Sequence, residues 1–208
     1  VDSHEVMDIF VRDTKLNLSP YYLKPGFAYG GSCLPKEVRA VGHIAGQLGV
    51  DLPLINALEC SNTAQIAEAV KLVESTGAKR VAVLGLAFKP GTDDLRESPI
   101  LEAMASLSER GVQITAHDPA ITAETRIEAQ LAYVAHGSPG LGRLAAGLRG
   151  MLAASAVEAV AEAEAVIVTH AHPEYRALAA ETDKPIIDVA RLWKDRSDAP
   201  ANVRGIGW

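Results

Sequence analysis

The sequence predicts an α/β protein: an all-helical segment over residues 1–77, then a parallel, helix-covered sheet over residues 78–208. Apolar residues recur at helical spacing as far as Gly77, and from Ala78 onward short β-branched runs alternate with helical patterns. Gly49, Gly77 and Gly111 fall where helices should stop.

Residues 2–13 carry Val6, Met7, Ile9, Phe10 and Val11 without a clear cap, as expected of a longer helix that has been cut. Residues 14–33 read as loop. A helix over 34–48 follows, with Leu34, Val38, Val41, Ile44 and Leu48 at helical spacing, and another over 53–76, with Leu54, Leu58, Ile66, Ala69, Val70 and Val73. These helices read as one packing unit. Residues 80–86 form the first strand. Ser98 and Pro99 are placed to cap and start a helix that turns Ile100, Leu101, Met104 and Leu107 inward, and 112–116 is the next strand of a βαβ unit. A helix over 155–163 leads into a strand over 165–169, and 184–189 and 203–208 are further strands. Residues 130–152 hold five glycines, Gly137, Gly140, Gly142, Gly147 and Gly150, and read as loop with an uncertain helix.

With 208 residues, 48% hydrophobic and 22% charged, the chain is long enough for one large or two small domains. Its net charge of -6, with 20 Lys and Arg dispersed among 26 acids, argues against a nucleic-acid surface but leaves room for small anions. Cys33 and Cys60 form neither a disulfide framework nor a metal set, so a reducing cytoplasm is expected, and Cys60, in a helical stretch, reads as a packed, inert thiol. No signal peptide is visible, and charges interrupt every long apolar run, as Glu158, Glu162 and Glu164 do before Val166, so no membrane association is expected. The chain begins at Val1, which suggests a piece of something longer.

Two stretches are read as sites. In Pro25-Gly26-Phe27-Ala28-Tyr29-Gly30-Gly31-Ser32-Cys33-Leu34-Pro35-Lys36 a thiol stands where a glycine-rich loop turns into a helix. Unpaired N–H groups and the positive end of the helix dipole favour thiolate there, and Lys36 adds a cation. A cysteine can also be merely a small buried hydrophobe, but Gly30 and Gly31, which permit close backbone approach to a ligand, favour chemistry. The second stretch, 86–99, joins the first strand to its crossover helix, at the carboxyl end of a strand, where open α/β sheets bind ligands. Lys89 and Arg96 suit phosphate or another anion, although Asp93, Asp94, Arg96 and Glu97 could equally form a solvated charge network. No G-x-G-x-x-G is present. Asp118-Pro119 reads as a turn in preference to a ribose contact, and His170 with His172 as surface or hydrogen-bonding residues, with no metal expected.

Tyr21 to Lys36 together with Gly85 to Pro99 closely resemble the UDP-glucose/GDP-mannose dehydrogenase family, in the family's order. Tyr21-Tyr22 and the terminal Gly205-Ile206-Gly207-Trp208 are most similar to the branch acting on GDP-mannose. The resemblance covers the second half of such an enzyme: the end of a central helical region, 1–77, used for dimerisation, then a Rossmann-like domain, 78–208, that helps hold the nucleotide sugar. It implies a double oxidation of the sugar C6 alcohol to a carboxylate by two NAD, with Cys33 as nucleophile. Tyr21, Tyr22, Lys24, Phe27, Gly30 and Lys89 match substrate-binding positions, partly across a homodimer interface, and Lys36 and Arg96 match residues that approach NAD. Glu37 stands where the family usually has aspartate, thought to handle water and protons, and altered rather than abolished chemistry is expected. The NAD domain and its upstream lysine and asparagine are missing from these residues, so the 208 residues alone are expected to be inactive. A stand-alone nucleotide-sugar binding module, and less so a cysteine acyltransferase or hydrolase using His43, His117 or His170, are the competing readings.

Overall fold

The structure, a computed structural model, describes residues 2–206, apart from the side chains of 133–137. The expected strand residues Gly207 and Trp208 lie outside that range. Three helices come first: α1 (Ser3–Phe10), α2 (Leu34–Gln47) and α3 (Pro53–Glu74). The segment between α1 and α2 is loop except for a short 3-10 turn, Pro20–Leu23. The first helix is capped after all: the Asp2 carboxylate accepts from the His4 N–H at 2.8 Å and from that of Glu5 at 3.4 Å.

Five parallel strands follow, β1 (Arg80–Leu84), β2 (Gln113–His117), β3 (Ala165–Val168), β4 (Ile186–Asp188) and β5 (Val203–Gly205), in the order β2-β1-β3-β4-β5. Between them run α4 (Pro99–Glu109), α5 (Ile127–Gly137), α6 (Pro139–Met151), α7 (Ala156–Ala161) and α8 (Pro173–Glu181). All strands pair in parallel, as the alternation of strand and helix predicts. The strand order reverses direction between β1 and β3, so the crevice typical of doubly wound sheets opens at the carboxyl ends of those two strands.

The pleat divides the core. Val81, Val83, Ile114, Ala116, Ile167 and Ile187 meet α3, α4 and α6 on one face, whereas Ala82, Leu84, Val166, Val168 and Ile186 meet α7 and α8 on the other. On α3 the buried stripe is Ile66, Ala69, Val70 and Val73, all in the second half of the helix. Its first half, with Leu54 76% exposed, and nearly all of α2, where only Pro35 and Ala45 are buried, stand clear of the sheet.

Three expectations need correction. Residues 130–152 lie in α5 and α6: Ser138 accepts from the Leu141 N–H, Pro139 starts the second helix, and burial of Leu144 and Leu148 outweighs its glycines. Ser98 precedes α4 but does not cap it, because its hydroxyl donates instead to the Leu86 carbonyl at 2.7 Å. Cys60 is exposed, since it lies in the first half of α3.

Candidate functional site

The thiol loop and the connection after β1, sixty residues apart in sequence, are in contact. Gly31 has φ +86°, and a β-carbon built on it would come within 2.8 Å of the Phe88 ring. At Gly30 a β-carbon would stand 2.2 Å from the Glu97 carbonyl oxygen and 2.8 Å from Pro99 Cδ. Both positions therefore require glycine, Gly31 for conformation as well as room and Gly30 for room. The Gly31 N–H donates to that same carbonyl at 3.4 Å, and the Arg39 guanidinium on α2 grips the Glu97 carboxylate with two nitrogens. Glu97 itself has φ +48°, a left-handed conformation that a side chain rarely adopts.

Cys33 is exposed at the N-cap position of α2; its carbonyl accepts from the Glu37 N–H at 2.9 Å, and its Sγ lies 3.8 Å from Ser32 Oγ. Lys36 and Glu37, in the first turn, are exposed and paired with each other at 3.1 Å, so the lysine's charge is directed at a carboxylate. Lys89 is exposed at the tip of the connection, where its carbonyl accepts from the Thr92 hydroxyl at 2.9 Å. Arg96 forks onto Asp94 through Nε at 2.8 Å and Nη2 at 2.7 Å, which holds the Asp94 carboxyl below the usual carboxylate range.

A second group of the residues singled out lines a cleft of about 920 Å³ between α1, residues 20–27 and the segment after β4. Tyr21, Lys24 and Phe27 face it, together with His4, Gln65, Asp188, Arg191 and Lys194, which sequence reasoning did not select. Arg191, at φ +58°, pairs with the Asp2 carboxylate at 2.7 Å and pulls its pKa down, so it ties α1 to the end of β4. Asp188 accepts N–H bonds from Ala190 at 3.0 Å and Leu192 at 2.8 Å, yet burial dominates and raises its pKa. Tyr22, Gly30, Cys33, Lys36, Glu37, Lys89 and Arg96 do not line this cleft. Tyr22 is exposed and packs edge-on against Tyr21, with ring centroids 5.6 Å apart.

A buried polar network keeps the connection after β1 in place. Asp118 is a turn residue, as expected, its Oδ1 accepting from the Ala120 N–H at 2.9 Å, but its Oδ2 also takes the Leu86 and Ala87 N–H groups at 2.7 and 3.1 Å. His170 is buried with its Nε2 2.8 Å from the Ala87 carbonyl oxygen. Farther along, Gln130 accepts from the Leu95 N–H at 2.7 Å and donates to the Asp93 carbonyl at 3.0 Å. On the thiol side, Asn62 of α3 does the same to Tyr29, accepting from its N–H at 2.8 Å and donating to its carbonyl at 3.0 Å. Partners so distant in sequence leave no local signal.

Among the described residues no group of three or more His, Cys, Asp or Glu is placed to hold a metal, and no helix is long and apolar enough to cross a membrane.

Residues 1–64 match the model of the UDP-glucose/GDP-mannose dehydrogenase family central domain, and residues 82–195 that of the family's UDP-binding domain. The GDP-mannose 6-dehydrogenase of Pseudomonas syringae pv. syringae is 38% identical over 210 residues, covering 100% of this chain and 46% of that protein. The chain thus spans about half the length of that curated relative. The crystal structure of a ternary complex of GDP-mannose dehydrogenase from Pseudomonas aeruginosa superposes with a TM-score of 0.75 at 34% identity, over 98% of this chain and 45% of that one. A UDP-glucose dehydrogenase from the archaeon Pyrobaculum islandicum gives 0.76 at 27% identity, over 100% of this chain and 44% of that one.

Proposed function

This chain belongs to the UDP-glucose/GDP-mannose dehydrogenase family, and from that premise we propose that it is the later half of an NAD-dependent nucleotide-sugar 6-dehydrogenase, with GDP-mannose the favoured substrate. The observation that carries this reading is the seating of the thiol loop on the strand-end connection that bears Lys89 and Arg96. Residues 1–77 supply the thiol, the dimer face and the loop side of the nucleotide-sugar site, and residues 78–208 supply its sheet side.

In this reading Tyr21, Lys24 and Phe27 hold the nucleotide end in the cleft, while Tyr22, Gly30 and Lys89 hold the rest of the nucleotide sugar near Cys33. NAD, when bound, would supply the hydride acceptor, one molecule for each of the two oxidations. Lys36 and Arg96 fit an approach to its pyrophosphate because each is an exposed cation whose present partner is a carboxylate, another oxyanion. A full cradle is not among these residues, which have no G-x-G-x-x-G turn. Once the C6 alcohol has become an aldehyde, the Cys33 thiolate adds to its carbon and the carbonyl oxygen takes a proton, giving a thiohemiacetal. Loss of the second hydride and of that proton leaves a thioester, and water then displaces the thiolate to release the carboxylate. Glu37, in the first turn of the helix that Cys33 caps, is in this reading the base that takes the proton from that water. The exposed apolar residues of α2 and α3 are the homodimer face, and two free cysteines suit a reducing cytoplasm.

The test is to give the full-length protein NAD and a panel of GDP-mannose, UDP-glucose and acetamido-sugar nucleotides. Two NADH per sugar with GDP-mannose preferred, and loss of acid formation in Cys33→Ala, are expected. Retention of acid formation without that sulfur would sink the reading.

A further inference from the structure

Asn62 stands on α3 in step with Ile66, Ala69 and Val73, so it is the polar first member of the stripe that this helix buries. Its carboxamide presents an acceptor and a donor side by side, and both are used on one residue: it accepts from the Tyr29 N–H at 2.8 Å and donates to the Tyr29 carbonyl at 3.0 Å. Two residues on, the Gly31 N–H reaches the Glu97 carbonyl at 3.4 Å, and Gly30 lies against that oxygen. The backbone leading to Cys33 is therefore held at two points, one on the helical segment and one on the connection after β1. The first of these is a single side chain that does not line the cleft and whose hydrogen bonds go to Tyr29.

Resting on the reading of Cys33 as the nucleophile, we propose that Asn62 is a positioning residue for the thiol: it fixes the loop so that the sulfur captures the aldehyde before it escapes. No other common side chain of this length reproduces the pair of bonds. Aspartate keeps the acceptor but sets a carboxylate against the Tyr29 carbonyl, leucine offers neither bond, and glutamine keeps both groups on a longer arm.

Two measurements test the placement. Hydrogen exchange of residues 27–33 should quicken at least tenfold in Asn62→Asp while that of β1 and β3 stays unchanged, with Asn62→Gln between it and the parent; Asn62→Ser serves if the aspartate variant does not fold. In the full-length enzyme, turnover in the presence of hydroxylamine should release at least tenfold more aldehyde, trapped as oxime, per NADH, with KM for the nucleotide sugar within threefold. Simple destabilisation would instead lower NADH and acid together and release no aldehyde. Unchanged loop exchange in a folded variant overturns the assignment, as does a loosened loop that still delivers acid without trapped aldehyde. Cys33→Ala in the same assay separates the two ideas: if it too delivers acid and no aldehyde, the reading of the thiol has failed independently of Asn62.

Discussion

At Gly31 two separate physical demands meet on one atom. The left-handed backbone disfavours any β-carbon by about 1–2 kcal/mol, and the Phe88 ring occupies the space that it would need. Gly31→Ala should therefore destabilise the folded protein by about 2–3 kcal/mol in urea titration, and Phe88→Ala in the same background should restore only the part due to crowding. Restoration to the parental midpoint would show that backbone strain contributes nothing. Glu102, on the first turn of α4, carries a different kind of strain. Burial, with the nearby Glu97 carboxylate adding to it, raises its pKa. The folded protein then binds a proton more tightly than the unfolded chain, so stability declines as pH rises from the ordinary carboxylate range through the raised value, and does not recover above it. Glu102→Gln should melt higher than the parent near pH 7, with the gap closing as pH falls toward about 4. A gap that widens in acid would reverse that sign.

Elements were legible in proportion to how local their causes are. Ile100, Leu101, Met104 and Leu107 announce the buried face of α4 by spacing alone, and the β-branched runs announce β1, β3 and β4. The helices α5 and α6 did not announce themselves, because their stability comes from distant packing: Leu148 is fully buried and Gly140 lies against Glu109 of α4. The candidate site divides the same way. Loop glycines, the helix-starting Pro35 and the thiol can be read in order along the chain, whereas the carboxamides of Asn62 and Gln130 close on backbones 33 and 35 residues away or more. Asp118 is the sharpest case, a turn signal that is also the acceptor for two amides at the end of β1. Asp118→Asn puts an N–H group among those donors, and a loss of about 1–3 kcal/mol is expected, read as a lower urea midpoint. An unchanged midpoint would mean that the amides find other partners.

On the scale of the molecule, the two halves differ in how much apolar surface they leave open. Leu34, Val41, Ile44, Leu54 and Leu58 are all exposed on α2 and α3, as is Leu48 at the end of α2, whereas the sheet region exposes few large apolar side chains. An open stripe of this kind is the signature of an interface, and a second copy of the chain would cover it by symmetry. Sedimentation should find a dimer at micromolar concentration and a monomer for Ile44→Glu combined with Leu54→Glu; a parent that sediments as a monomer would exclude this face.

The connection after β1 is pinned nearly end to end, by Asp118 at residues 86 and 87, by Gln130 at 93 and 95, and by Gly30 and Gly31 against 88 and 97. The tip around Gly91 is bonded only within itself, the Thr92 hydroxyl to the Lys89 carbonyl and the Phe88 N–H to the Asp94 carbonyl, and the space beside Gly91 is open. Length changes in this connection are thus confined to the few residues beside Lys89: an added residue there would bulge outward, but one added on either flank would shift the register of both motifs at once.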